Sequence, residues 1–186
     1  MNKVKYLLSY RYAEMIHDLT MDFAKQYVDY KSRTRDQMEQ AARSGKQNII
    51  EGVGQSQTSE KGLIKLLGVA KASFEELLAD YEDILRQQRL EIYPRSSPKI
   101  TKFRQFAFEL SNLSNLSDLG NLIKRPKLSG KLQTDANFLL TMCHQVTYLL
   151  DRQIKAEIEK FTKNGGFSEN LFLKRREYLA KKQKDY

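Results

Sequence analysis

Residues 41–52, which read AARSGKQNIIEG, decide the fold of this 186-residue chain more than any other stretch. They keep the 3.6-residue period of a helix, yet five of the twelve are alanine, serine or glycine. Glycine inside a helix costs about 1 kcal/mol relative to alanine, so its presence needs a structural reason. One face of this helix carries Met38, Ala42, Gly45, Ile49 and Val53. A face without bulk predicts the close approach of a neighbouring backbone, and a ligand groove flanked by Asn48 and Glu51 is the alternative.

A second stretch, residues 62–85, reads GLIKLLGVAKASFEELLADYEDIL. Its apolar residues recur at i, i+3, i+4 and i+7 over about six turns, which predicts a long amphipathic helix over Ser59–Gln88. The helix before it is predicted over Arg33–Gly54. Because only Gln55–Thr58 join the two, we expect them to be antiparallel neighbours.

The remaining segments are also predicted to be helical. Apolar spacing favours a first helix over Val4–Tyr30, and Pro94 and Pro98 separate the third helix from a shorter one at about residues 100–110. Leucine at every third position from 110 to 122 does not fit one helical face, which predicts an irregular apolar segment. A last bundle helix is expected from Gln133 or Thr134 to about residue 162, ended by a glycine pair. A tail helix follows, with four apolar residues that can dock: Leu171, Phe172, Tyr178 and Leu179.

These elements predict an all-α fold, an antiparallel up-down four-helix bundle over residues 1–163. An insertion at about residues 91–131 carries the short helix, and residues 164–186 form a basic C-terminal suffix helix. No stretch of the sequence alternates apolar and polar residues as a strand does.

The segments AARSGKQNIIEG and LLGVAKASFEELLADYED resemble a bacterial four-helix bundle family. That family includes the intervening-sequence proteins encoded within some 23S rRNA genes and is similar to the accessory variability protein of diversity-generating retroelements. The tail GGFSENLFLKRREYL resembles the suffix segment of a longer subgroup. The resemblance implies a ring-like homo-oligomer, commonly a pentamer, with a basic surface linked to nucleic acid. It also implies a reverse transcriptase or another protein as a possible partner.

Charge is unevenly distributed along the chain. The whole sequence holds 32 Lys and Arg against 23 Asp and Glu, a net charge of +9. Residues 1–90 are almost balanced, at 14 against 13, whereas residues 91–186 hold 18 against 10. A basic half favours a polyanionic partner such as RNA, DNA or an anionic membrane surface. Among these, RNA is the partner that we favour. The alternative is an ordinary lysine-rich surface that only keeps the protein in solution.

Three groups of basic residues are the candidate nucleic-acid contacts. The second helix carries Arg33, Arg35, Arg43 and Lys46. A basic loop carries Lys124, Arg125 and Lys127, and the tail carries Lys174, Arg175, Arg176, Lys181 and Lys182. Because no base-reading motif accompanies them, we expect binding that follows phosphate charge and shape. Tyrosines of the first helix could instead stack on bases, but their helical spacing favours burial.

Catalytic and metal chemistry is not favoured by the sequence. Glu14 and His17 have the Glu-x-x-His spacing of di-iron bundles, but a second such pair is missing. Asp80 and Asp83 lie in an acidic stretch that could hold Mg²⁺, although a charged helix face is the simpler interpretation. We therefore expect a non-catalytic protein without cofactor or metal. The rival hypothesis is a protein–protein scaffold or adaptor that does not touch nucleic acid.

Cellular location is predicted from what the sequence contains. Cys143 is the single cysteine, which suits a reducing compartment. The sequence shows neither a signal-peptide pattern nor an apolar run of transmembrane length, so we expect a cytoplasmic protein without a membrane partner.

Overall fold

The computed structural model describes residues 3–111 and 127–184, and every regular element within these ranges is helical. A short 3₁₀ turn at Lys3–Tyr6 precedes six helices. The helices are α1 Leu8–Tyr27, α2 Arg33–Gln55, α3 Glu60–Gln87, α4 Pro98–Ser111, α5 Leu132–Asn164 and α6 Phe167–Lys184.

Helices α1, α2, α3 and α5 form the predicted antiparallel up-down bundle. Each packs against two neighbours, in the cyclic order α1, α2, α3, α5. Hydrogen bonds between α1 and α5 fix their opposite directions, because Ser9 pairs with Gln153 at one end and Tyr27 pairs with Asp135 at the other. The inserted α4 packs on α5 and touches α1. The fold class predicted from the sequence is confirmed.

The first helix is shorter than the predicted Val4–Tyr30. Leu7 has extended backbone angles, so α1 begins at Leu8, and Val28 is again extended after Tyr27. After Val28, polar side chains accept hydrogen bonds from the backbone N–H groups. Asp29 accepts from the Lys31 N–H at 2.8 Å, and Ser32 accepts from the Thr34 N–H at 3.2 Å. Such local side-chain bonds compete with a continuing helix and begin the next one.

The small-residue face of α2 packs closely on α3, as predicted. At Gly45 the neighbour is an aromatic ring rather than the expected backbone, since an added Cβ would lie 2.5–2.9 Å from three ring carbons of Phe74. At Gly52 the backbone does come near, with the Leu63 carbonyl oxygen 3.5 Å from such a Cβ. Glycine is therefore required at Gly45 by packing, and this stripe is closed to a ligand, although a groove of about 470 Å³ opens beside it along Arg33, Ala41, Ser44 and Ser73.

We call this contact between the two helices the α2–α3 seam. The polar groups beside it have hydrogen-bond partners within the protein. The Asn48 amide donates to the Ser44 carbonyl at 2.9 Å, and the Ser73 hydroxyl of α3 donates to the Ser44 hydroxyl at 3.1 Å. The bond between Ser44 and Ser73 thus joins α2 to α3, whereas the Asn48 amide bonds only within α2. Glu51, the other residue that flanks this face, is exposed.

The remaining ends follow the sequence signals. Ser59 caps α3 by accepting from the Gly62 N–H at 3.0 Å, and α5 ends at Gly165, whose φ of +66° favours glycine. Most of the leucine-rich segment predicted to be irregular, with Leu113, Leu116, Leu119 and Leu122, lies outside the described residues. Within the described ranges, no helix is long and apolar enough to cross a membrane.

Candidate nucleic-acid interface

The four basic residues predicted on α2 do not form one continuous positive face. Arg33 and Arg43 are exposed, about 15 Å apart along the helix axis. Arg35 is neutralised by its own helix, because its Nε lies 3.1 Å from the Glu39 carboxylate. Lys46 is half-buried against α1, with its Nζ 3.2 Å from Nδ1 of His17. Only Arg33 and Arg43 of this group are placed to meet a polyanion.

The basic loop is described only at its end. Lys124 and Arg125 lie outside the described residues, whereas Lys127 is exposed beside the last turn of α1. Asp135, buried in the first turn of α5, fixes the loop by accepting from Ser129 N–H at 2.7 Å and Gly130 N–H at 3.1 Å. The same carboxylate accepts from the Tyr27 hydroxyl at 2.7 Å, and burial together with this bond raises the pKa of Tyr27 to about 12.

Helix α6 carries the largest group of unpaired cations. Lys174, Arg175, Arg176, Lys181 and Lys182 are all exposed, and none makes an ion pair within the described part of the chain. The helix is anchored at its start, where the Phe167 N–H donates to the Glu60 carboxylate at 2.9 Å. That backbone bond holds the pKa of Glu60 below its usual value.

The apolar side chains of α6 do not dock on the bundle as expected. Leu171, Phe172, Tyr178 and Leu179 are 44–61% exposed. Every side chain of residues 167–182 is exposed, so α6 projects from the bundle instead of covering it. The helix therefore offers both positive charge and apolar surface to other molecules.

The basic residues at the end of α5 behave in the opposite way. Lys155 lies 2.7 Å from Asp151, Lys160 lies 3.5 Å from Glu157, and Lys163 lies 2.6 Å from Glu159. These pairs neutralise the charge locally, and hydrogen bonds from Lys155 and Lys71 lower the pKa of Asp151. The five cations of α6, by contrast, make no ion pair in the described residues.

A groove that the sequence did not predict lies beside α5. It has a volume of about 620 Å³, and α3, residues 92–95, α4 and α5 all contribute to its walls. Asn137, fully buried on α5, positions residues 91–93: its Oδ1 accepts from the Tyr93 N–H at 2.7 Å and its Nδ2 donates to the Glu91 carbonyl at 3.0 Å. An asparagine in the apolar stretch of α5 was the one sequence signal of this contact.

The residues considered for metal or catalytic chemistry are Glu14, His17, Asp80 and Asp83. In residues 3–111 and 127–184, no group of three or more His, Cys, Asp or Glu side chains could hold a metal ion. Glu14 accepts a hydrogen bond from the Tyr10 hydroxyl at 2.9 Å. Burial raises the pKa of the Cys143 thiol, which keeps it protonated. Burial and the neighbouring Glu76 and Asp83 raise the pKa of Asp80 to about 6.

The fold is that of an up-down four-helix bundle, and the exposed positive charge lies on a basic helix that projects from it. Comparison with family models, with curated proteins and with solved structures finds no match to this chain.

Proposed function

We propose that this protein is a non-catalytic, nucleic-acid-binding four-helix bundle, with structured RNA or an RNA/DNA hybrid as its favoured ligand. The observation that carries the proposal is the set of five exposed, unpaired cations on α6. Arg33, Arg43 and Lys127 are exposed as well and would add phosphate contacts. The proposed interface does not include Arg35 and Lys46, because each has a partner within the protein.

The physical basis of the proposed binding is the release of counterions. Each cation that neutralises a phosphate frees a condensed counterion, so affinity falls steeply as salt is added. An 18-residue helix is about 27 Å long, which lets it follow several phosphates of one strand. The cations point to different sides of α6, which suits phosphate contacts more than the reading of base edges.

Self-association is the second element of the proposal. The exposed Leu171, Phe172 and Leu173 on α6 give each chain an apolar surface that a second copy could cover. The sequence resemblance to the intervening-sequence and accessory variability proteins supports a ring, with five subunits as the expected number. A ring would repeat the basic α6 around its axis and multiply weak phosphate contacts. Action in the cytoplasm, as an accessory subunit beside a reverse transcriptase or another protein, belongs to the same proposal.

The test is a salt titration of binding to a labelled RNA hairpin, followed by fluorescence anisotropy. A triple variant, Lys174→Gln, Arg175→Gln and Arg176→Gln, should weaken binding at least tenfold at low salt. It should also lower the slope of log affinity against log salt by about 2 to 3. The matched control replaces Lys155, Lys160 and Lys163 by Gln, which removes the same charge from residues already paired on α5. The control should bind nearly as well as the natural protein.

Two results would overturn the proposal. Either the natural protein does not bind RNA or an RNA/DNA hybrid even at low salt, or both triple variants lose affinity equally. The second candidate, a protein–protein scaffold, would then stand, because the apolar residues of α6 remain exposed without a nucleic-acid ligand. Mass measurement in solution, with and without Leu171→Ser and Phe172→Ser, would test the self-association separately.

A further inference from the structure

The groove beside α5 is assembled from four separate segments of the chain. Its floor and walls include the apolar side chains of Ile92, Ile100 and Leu140, and the rings of Tyr93 and Tyr148. Its volume of about 620 Å³ falls within the range of cavities that bind small organic ligands. The buried Asn137 holds the segment that carries Tyr93, so this wall is fixed by the bundle itself.

Two guanidinium groups at this groove are uncommitted. Arg95 and Arg104 line it, and neither makes a hydrogen bond or an ion pair in the described part of the chain. Guanidinium groups bind phosphate oxygens through paired N–H donors. An anion is therefore the complementary charge for this side of the groove.

Aromatic surface lines the same groove as these arginines. Tyr148 is 62% exposed, and the guanidinium of Arg152 lies 6.0 Å from the centre of its ring. An exposed tyrosine ring flanked by arginine offers a stacking surface for a planar ring. The ligand that fits is thus a phosphate attached to a flat aromatic group.

A hydrogen-bond acceptor completes the groove. Glu82 contributes a half-buried carboxylate. A carboxylate accepts from N–H groups. The exocyclic amino group of adenine, cytosine or guanine would be such a donor.

We propose that this groove binds one unpaired, amino-bearing nucleotide of a single strand, with its base against Tyr148 and its phosphate beside Arg95 and Arg104. The site is separate from α6, and its natural ligand rests on the proposed nucleic-acid function. A free nucleotide has the same chemistry as one unit of a strand, so the experiment needs an arm for each source.

The experiment compares the groove with matched exposed positions. Binding of a labelled decamer of adenylate and of a duplex RNA of equal length is followed by anisotropy, and adenosine monophosphate is titrated calorimetrically. Tyr148→Ala should weaken binding of the single strand about tenfold, since stacking on one aromatic side chain contributes about that factor per base. Tyr30→Ala, at a tyrosine 75% exposed outside the groove, should change nothing. Duplex binding should be the same in both variants.

A second matched pair tests the phosphate contact. Arg104→Gln should reduce the salt slope of single-strand binding by about 1, whereas Lys102→Gln, on the same helix but outside the groove, should leave it nearly unchanged. Binding of adenosine monophosphate that is lost in Tyr148→Ala also supports the site, with a free nucleotide as its source.

The proposal is overturned if Tyr148→Ala and Tyr30→Ala bind the single strand equally well and neither changes the binding of the monophosphate. That result would leave RNA binding by α6 untouched. Conversely, loss of all strand binding in the α6 triple variant, with monophosphate binding retained, would separate the two sites. If the natural protein binds neither strand nor monophosphate while it still binds the RNA hairpin, this proposal fails and the one for α6 stands.

Discussion

The polar groups of the α2–α3 seam have partners within the protein, whereas those of the projecting α6 do not. In the seam, Ser44, Asn48 and Ser73 find partners within the protein, beside a glycine that fits one aromatic ring. On α6, five cations and several apolar side chains find no partner in the bundle. The seam stabilises the fold, whereas α6 presents surface that no described part of the chain covers.

The difference teaches where function should be sought in this chain. A polar group that is satisfied internally contributes to stability, and its removal damages the fold. An unpaired, exposed group contributes little to stability, so its removal should affect only interactions with partners. Stability and binding measurements should therefore separate the two regions.

The largest effect is expected at Asn137, whose amide joins residues 91–93 to α5. Asn137→Ala leaves the buried Tyr93 N–H without its partner and removes one of the two bonds to the Glu91 carbonyl, so it should lower the free energy of unfolding by about 3 kcal/mol. Urea denaturation followed by circular dichroism measures this change. Gln133→Ala, which removes one exposed bond to the same carbonyl, is the control and should lose less than about 1 kcal/mol. Equal losses in both variants would show that burial of the Tyr93 N–H does not increase the cost of losing its partner.

Gly45→Ala tests the seam directly. The new methyl group would overlap the Phe74 ring, so we expect a loss of about 2 kcal/mol in the free energy of unfolding. Gly68→Ala, in the middle of α3 with open space around it, should instead gain about 0.5–1 kcal/mol. Adding Phe74→Leu to Gly45→Ala should reveal a favourable coupling between the two positions. If Gly45→Ala gains stability as Gly68→Ala does, the seam is not closely packed.

Asp80 is an exception to the internally satisfied interior, because its Oδ2 is buried without a partner. Its pKa is raised from 3.8 to about 6 on folding, so the folded protein holds this proton more tightly. Stability from this group is complete below pH 4 and is lost as the pH rises through 6. Asp80→Asn should therefore add about 1 kcal/mol at pH 7, a value reduced for partial exposure, and nothing near pH 4.

The control for Asp80→Asn is Asp83→Asn, which should recover only a small part of that gain. Repulsion from Asp83 is the weakest of the three causes that raise the pKa of Asp80, after burial and Glu76. Thermal unfolding at pH 4 and pH 7 measures both variants. A gain from Asp80→Asn that is the same at both pH values would contradict the assignment.

The smallest effect on stability is expected on α6. Leu171→Ser and Phe172→Ser together should change the free energy of unfolding by less than about 0.5 kcal/mol, because neither side chain packs on the bundle. A loss of several kcal/mol, measured at low protein concentration, would mean that α6 is covered in the folded protein. The comparison between the two regions would then no longer hold.

Much of the fold could be predicted because helical periodicity is a local signal. The spacing of apolar residues placed α2 and α3 within one residue of their observed ends, and the small residues of α2 indicated a close contact. The identity of that contact depended on tertiary packing, since nothing in the sequence showed that Phe74 faces Gly45.

The candidate site was harder to predict, because charge alone does not show which cations have partners. The pair of Arg35 with Glu39 follows an i, i+4 spacing and could have been found from the sequence. The contact of Lys46 with His17 joins two helices and could not. The groove beside α5 depends on Asn137 and Tyr93, 44 residues apart, and so needs the folded chain.

The short connection between α2 and α3 also sets an order of assembly. Ser44 and Ser73 are 29 residues apart in the chain, whereas Ser9 and Gln153, which join α1 to α5, are 144 apart. Bringing distant segments together carries a larger loop-closure entropy, so the α2–α3 hairpin should form before the outer helices close around it. Truncation of Phe74 should then slow refolding, while changes at Ser9 or Gln153 should mainly hasten unfolding.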